Sequence, residues 1–128
     1  MAENYVVKEV LTEDMMDAGE ALLRELDQTG VQVDAALWFW DIEGPDWSLK
    51  CVSPDVDNFH RHVRLTLNKL SSKHKEMLDG SVRRVMEGSE LWRGLKAIAP
   101  IPGFNRMRLR KTLIGSHYIQ DGLLYRAT

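Results

Sequence analysis

Residues 35–53 read AALWFWDIEGPDWSLKCVS, two apolar strands joined by a turn, and they hold three of the four tryptophans in a chain of 128 residues. Alternate residues of a strand point to opposite faces. Ala36, Trp38, Trp40 and Ile42 therefore share one face of the first strand, and Ala35, Leu37, Phe39 and Asp41 share the other. On the second strand Trp47, Leu49 and Cys51 lie opposite Ser48, Lys50 and Val52. Residues 43–46, Glu-Gly-Pro-Asp, carry turn chemistry, because proline presets φ and glycine and aspartate tolerate tight bends. With those four as the loop, Ile42 pairs with Trp47, Trp40 with Leu49 and Trp38 with Cys51. A one-residue slip would scatter the large apolar groups over both faces. Each tryptophan can bury about 150–250 Å². The Trp38, Trp40 and Trp47 face is thus expected to be the main core wall, and the mixed face near the turn the better place for a site.

Upstream, residues 1–11 read as an extended arm. Thr12 then caps a helix whose first turn holds Glu13 and Asp14, carboxylates suited to the positive end of the helix dipole. Met15, Ala18, Leu22 and Leu26 recur at helical spacing, and Gly30 closes the element. Downstream, Pro54 and Asp55 turn the chain into a helix with Phe59, Val63, Thr66, Leu67 and Leu70 on one stripe. Ser71 and Ser72 interrupt it, and a short helical piece follows before Gly80.

Residues 81–86 read as a strand reached by a crossover, and Ser89 caps a helix carrying Leu91, Trp92, Leu95 and Ile98. Residues 107–119 alternate, and Asp121-Gly122 has the composition of a type I′ turn, which would pair Tyr118 with Tyr125 and Ile119 with Leu124. The expectation is one α+β domain over residues 1–128. Its mixed sheet has about five strands, two antiparallel hairpins plus a crossover strand, packed with two to three helices in the order α-β-β-α-β-α-β-β.

The composition, 44% hydrophobic and 28% charged, is that of a globular domain. No 18-residue apolar run exists, so no membrane association is expected. The opening MAENYVVKEV lacks a basic stretch followed by an apolar one, so no secretory signal is expected. One cysteine cannot form an internal disulfide, which suits a reducing cytoplasm. Net charge is only −2, yet residues 1–57 carry −11 and residues 58–128 carry +9. Such a split speaks to partners or self-association, unless the halves neutralise each other within the fold.

Candidate chemistry is sparse. Arg106, Arg108 and Arg110 alternate along a strand, about 6.8 Å apart on one face, and could engage phosphates, with Lys111, Arg83 and Arg84 extending the row. A charged edge strand guarded against aggregation explains the same pattern. His60 and His62 would diverge on a helix, no metal-ligand spacing occurs, and neither a nucleotide-cradling glycine loop nor a nucleophile elbow is present. Asp46 and Lys50 fall short of a metal-dependent nuclease set because Ser48 stands where a second carboxylate is needed. No cofactor and no metal are expected.

The sequence points first to a cytoplasmic protein-interaction or self-associating module. Nucleic-acid or anion binding through Arg106, Arg108 and Arg110 is the alternative. An enzyme with a site assembled from a sheet-face patch of Phe39, Asp41, Lys50, His117 and Tyr118 is the third reading.

Overall fold

The computed structural model describes residues 10–41, 46–55, 57–86, 88–98, 105–115 and 117–127. Most of the expected N-terminal arm and residues 43–45 of the expected turn lie outside them, while Asp46, expected in that turn, is the first residue of a strand. Along the chain run α1 (Glu13–Gln28), β1 (Ala35–Asp41), β2 (Asp46–Val52), α2 (Phe59–Leu67), α3 (Ser72–Leu78), β3 (Val82–Val85), α4 (Glu90–Ile98), β4 (Met107–Ile114) and β5 (His117–Ala127). This is the order read from the sequence, with the second helix divided at Ser71, whose side chain caps α3 by accepting from the His74 amide. The five strands form one sheet in the order β3-β2-β1-β5-β4. β2 and β3 are parallel, joined across α2 and α3, and the other pairs are antiparallel. No helix among the described residues is long and apolar enough to cross a membrane.

Each face of the sheet carries its own core. Trp38, Trp40, Trp47, Leu49 and Cys51 pack against α1 (Ala18, Leu22, Leu23, Leu26), α2 (Phe59, Val63, Leu67) and α3 (Leu78). Leu37, Val52, Leu109, Ile114, Ile119 and Leu124 pack against Leu91, Trp92 and Leu95 of α4. The tryptophan face is thus the larger core wall, as the alternation implies. α1 begins and ends as its sequence dictates: Thr12 Oγ1 accepts from the Met15 amide at 3.2 Å, and Gly30 leaves the helix with φ of 83°. In α4, a Cβ on Gly94 would sit 3.0 Å from the Gly115 amide nitrogen, so glycine there lets the helix close onto the β4–β5 turn.

The first hairpin differs from expectation by two residues. Trp40 pairs with Trp47, Trp38 with Leu49 and Ala36 with Cys51, and the ladder runs to Asp41 opposite Asp46. A two-residue shift leaves every side chain on its original face, so the apolar pattern cannot distinguish the two registers. Ile42, expected opposite Trp47, lies outside the described residues.

The second hairpin turns elsewhere. β4 and β5 meet at Ile114 opposite His117, with Gly115 at φ of 60°, and Asp121-Gly122 lies in mid-strand opposite Arg110 and Leu109. Two other needs account for that dipeptide. A Cβ on Gly122 would stand 2.6 Å from the Trp38 carbonyl oxygen, so glycine permits β5 to approach β1. Asp121 is the counter-ion of Arg108.

β5 also bulges against β1. The register shifts between Ala36 and Leu37, leaving Tyr125 without an opposite residue. Consecutive residues Tyr125 and Arg126 consequently both reach toward the α1 side. The Tyr125 hydroxyl accepts from Trp38 Nε1 at 3.0 Å and donates to the Met16 carbonyl at 2.6 Å. Arg126 forms a two-pronged pair with Asp27 at 2.7 and 2.8 Å, and its Nε donates to the Val33 carbonyl. These two side chains tie β5 to α1.

Cys51, opposite Ala36 in the sheet centre, gives a pH test. Burial pushes its thiol up to about 12 from an ordinary value of 9.0. The unfolded chain releases this proton near the ordinary value while the fold holds it, so stability present at neutral pH is lost as pH rises through that window. The slope is about 1.4 kcal/mol per pH unit for this group. Urea unfolding at a series of alkaline pH values should show a steeper decline in the native protein than in Cys51→Ala. A residual slope is expected from Tyr125, whose phenol burial also pushes up.

Candidate functional site

The arginines of the basic strand share a face, and in-chain carboxylates take most of their charge. Arg106 reaches the outer face of α1, 2.7 Å from Asp17, 3.4 Å from Glu20 and 3.6 Å from Glu13. Arg108 grips both oxygens of Asp121, at 2.8 and 2.7 Å. Arg110 lies 3.6 Å from the same carboxylate with its side chain 67% exposed, so it is the member of the row still open to a ligand.

Arg83 and Arg84 do not extend this row. They belong to β3, at the opposite edge of the sheet from β4. Arg83 donates to the carbonyls of Gly80 and Val82, and Arg84 to that of Ser53. Sequence could not show this, because strand order separates what strand composition made look alike.

The sheet-face patch is divided as well. Phe39 and Lys50 come together on the α4 side, with Nζ 5.0 Å from the ring centroid. Asp41 ends β1, opposite Asp46. His117 and Tyr118 lie beyond Gly122, the last β5 residue paired with β1, and as neighbours in a strand they face opposite ways. Tyr118 pairs across the strands with Leu113, and both are exposed.

Among the described residues, two places gather more cations than nearby carboxylates neutralise. One is a cleft of about 180 Å³ lined by Trp40, Arg110, Lys111, Gln120 and Asp121. It opens where the β1–β5 ladder ends at Phe39 opposite Gly122, so that the next residues, Trp40 and Asp121, part. Lys111 has φ of 48°, the only non-glycine residue at positive φ among those described. Leu109 before it and Ile114 after it both pack toward α4, so the odd–even phase of β4 changes across this residue.

The other is the outer face of α2 and α3. Arg61, Arg64, Leu65 and Asn68 fall at spacings of three and four and form the stripe opposite the buried Phe59, Val63, Thr66 and Leu67. Arg61, Arg64 and Lys69 are exposed, and their side chains have no ion-pair or hydrogen-bond partner among the described residues. Lys75 of α3 donates to Asn68 Oδ1 at 2.8 Å, which brings a further cation to the stripe without neutralising it. Leu65, 53% exposed, stands among these charges. This surface is helical and lies apart from the basic strand. Its signal was compositional: residues 58–75 contain five lysines and arginines and no acidic residue.

The opposed charges of the two halves meet in the fold. Arg106, Lys73 and Arg126, all from the basic half, bind Glu13, Asp14, Asp17, Glu20 and Asp27 of α1. Among the described residues no three histidine, cysteine or acidic side chains are grouped as metal ligands would be. No protein-family model, curated protein or solved structure matches the chain.

Proposed function

We propose that this domain is a protein-interaction module whose working surface is the outer face of α2 and α3, and that its partner presents an acidic segment with an apolar anchor. The observation that carries this reading is the set of unpartnered cations Arg61, Arg64 and Lys69 around exposed Leu65. Charge of one sign steers a complementary partner and fixes its orientation. Leu65 favours a protein over a nucleic acid, because a phosphate backbone has no use for an exposed leucine between its contacts. Self-association driven by the −11 and +9 halves has less support, since α1 already finds its cations within one chain. Phosphate binding along Arg106, Arg108 and Arg110 is weakened for the same reason. A cytoplasmic setting accords with a lone, fully buried thiol at Cys51.

The test uses a fluorescent helical peptide with a glutamate-rich face and a leucine stripe, and a DNA duplex for comparison. Anisotropy should report peptide binding at low salt that fades as salt rises. Arg61→Glu with Arg64→Glu should weaken it by at least about tenfold, Leu65→Ala should weaken it by a smaller factor, and Arg110→Glu should leave it unchanged. Absence of peptide binding at low salt would overturn the proposal. So would duplex binding of equal strength that ignores Leu65→Ala, which would mark a phosphate-binding surface instead.

A further inference from the structure

We propose that the cleft at the end of the β1–β5 ladder binds a small ligand in which a flat ring carries a carboxylate or phosphate group. The electrostatics come first. Asp121 lines the cleft, yet both its oxygens are taken by Arg108, which turns it from a free anion into half of a neutral pair. Arg110, 67% exposed, only touches the same carboxylate at 3.6 Å, and Lys111 has no partner among the described residues, so one carboxylate faces three cations and the cleft stays positive to whatever enters.

Its walls select further. Trp40 lines the cleft and is buried against Trp47, with ring centroids 5.5 Å apart, so it is held in place beside whatever enters. Gln120 adds an amide that can donate or accept. The volume of about 180 Å³ compares with the cavity of about 150 Å³ that admits benzene, so one ring with an acidic substituent is the right scale. Arginine's planar fork suits such a group, and lysine adds a point charge beside it.

The backbone supplies a separate observation. A lysine in the left-handed region is disfavoured relative to glycine, and strain of this kind collects at ligand sites. At Lys111 it coincides with the phase change of β4 and with a residue lining the cleft. A glycine would make the same bend more easily, but it would bring no charge to the site. Nothing in this inference depends on the surface of α2 and α3.

The experiment titrates the ¹⁵N-labelled protein with benzoate, phenyl phosphate, inorganic phosphate and benzyl alcohol, following amide and indole resonances. Benzoate or phenyl phosphate should give saturable shifts centred on Trp40, Lys111, Gln120 and Asp121. Lys111→Gly and Arg110→Ala should each weaken that binding by at least about fivefold. Lys111→Gly keeps the required backbone conformation, so its melting temperature should not fall, which separates loss of ligand from loss of fold. Absence of saturable shifts at millimolar ligand would overturn the proposal, as would shifts that survive Arg110→Ala combined with Lys111→Gly. Inorganic phosphate binding as tightly as phenyl phosphate would remove the ring from the ligand class, and benzyl alcohol matching benzoate would remove the charge. Either result defeats the proposal as stated.

Discussion

Trp38→Ala is expected to lower stability by about 3–5 kcal/mol, the usual cost of emptying a large aromatic site. Trp38 has no solvent exposure and lies in the central strand of the sheet. Its indole nitrogen donates to the Tyr125 hydroxyl, which passes the connection on to the Met16 carbonyl of α1. Gly19 makes room for this junction, since a Cβ there would collide with the Tyr125 hydroxyl and sit 2.9 Å from Trp38 Nε1. The substitution therefore removes packing on β1, a partner of β5 and a support of α1 together. For a domain of this size the melting temperature should fall by roughly 10–20 °C. Tyr125→Phe separates the contributions, because it keeps the ring and leaves the Trp38 N–H without its acceptor, at a cost of about 1–3 kcal/mol. Thermal and urea unfolding followed by circular dichroism would measure both. A loss below about 1.5 kcal/mol for Trp38→Ala would show that the tryptophan face is not the core wall described here.

Gly122→Ala is expected to cost about 2–3 kcal/mol, toward the upper end of overpacking effects. The added Cβ would meet a backbone atom, the Trp38 carbonyl oxygen at 2.6 Å, and a backbone oxygen held in a central ladder cannot swing aside as a side chain can. Relief requires β1 and β5 to separate at Phe39 opposite Gly122, beside the end of their pairing. Gly115→Ala provides the control. Gly115 sits in the actual turn with φ of 60°, is exposed, and should cost only about 1–2 kcal/mol from conformation. If Asp121-Gly122 were the turn, the ranking of these two variants would reverse.

Much of the fold was legible because period and burial agree. The alternation in residues 35–53 identified the buried face, and Thr12, Ser71, Ser89 and Gly30 marked helix ends that the structure reproduces. Register was not legible, since pairing Trp40 with Trp47 or with Leu49 buries the same side chains. The second turn was misread for a chemical reason. Glycine after aspartate satisfies a tight turn, and it satisfies equally a close strand approach beside an ion pair. The basic row could be read as a row, while its neutralisation depended on α1, far away in sequence, for Arg106 and on Asp121 across the β4–β5 pairing for Arg108. The cleft was out of reach for a related reason: Trp40 shares it with Arg110 and Lys111 because β5 pairs with both β1 and β4.

The place of β1 has a consequence for how the domain comes into being. Its neighbour on one side, β2, begins at Asp46, while its neighbour on the other, β5, begins only at His117. A ribosome adding about 5–20 residues per second needs roughly 4–15 seconds to travel from the end of β1 to the start of β5. Throughout that interval the Trp38 strand has one edge satisfied by its hairpin partner and the other without its native neighbour. The nascent chain is therefore open to mispairing with other chains until β5 emerges, and its arrival gives that edge its native neighbour.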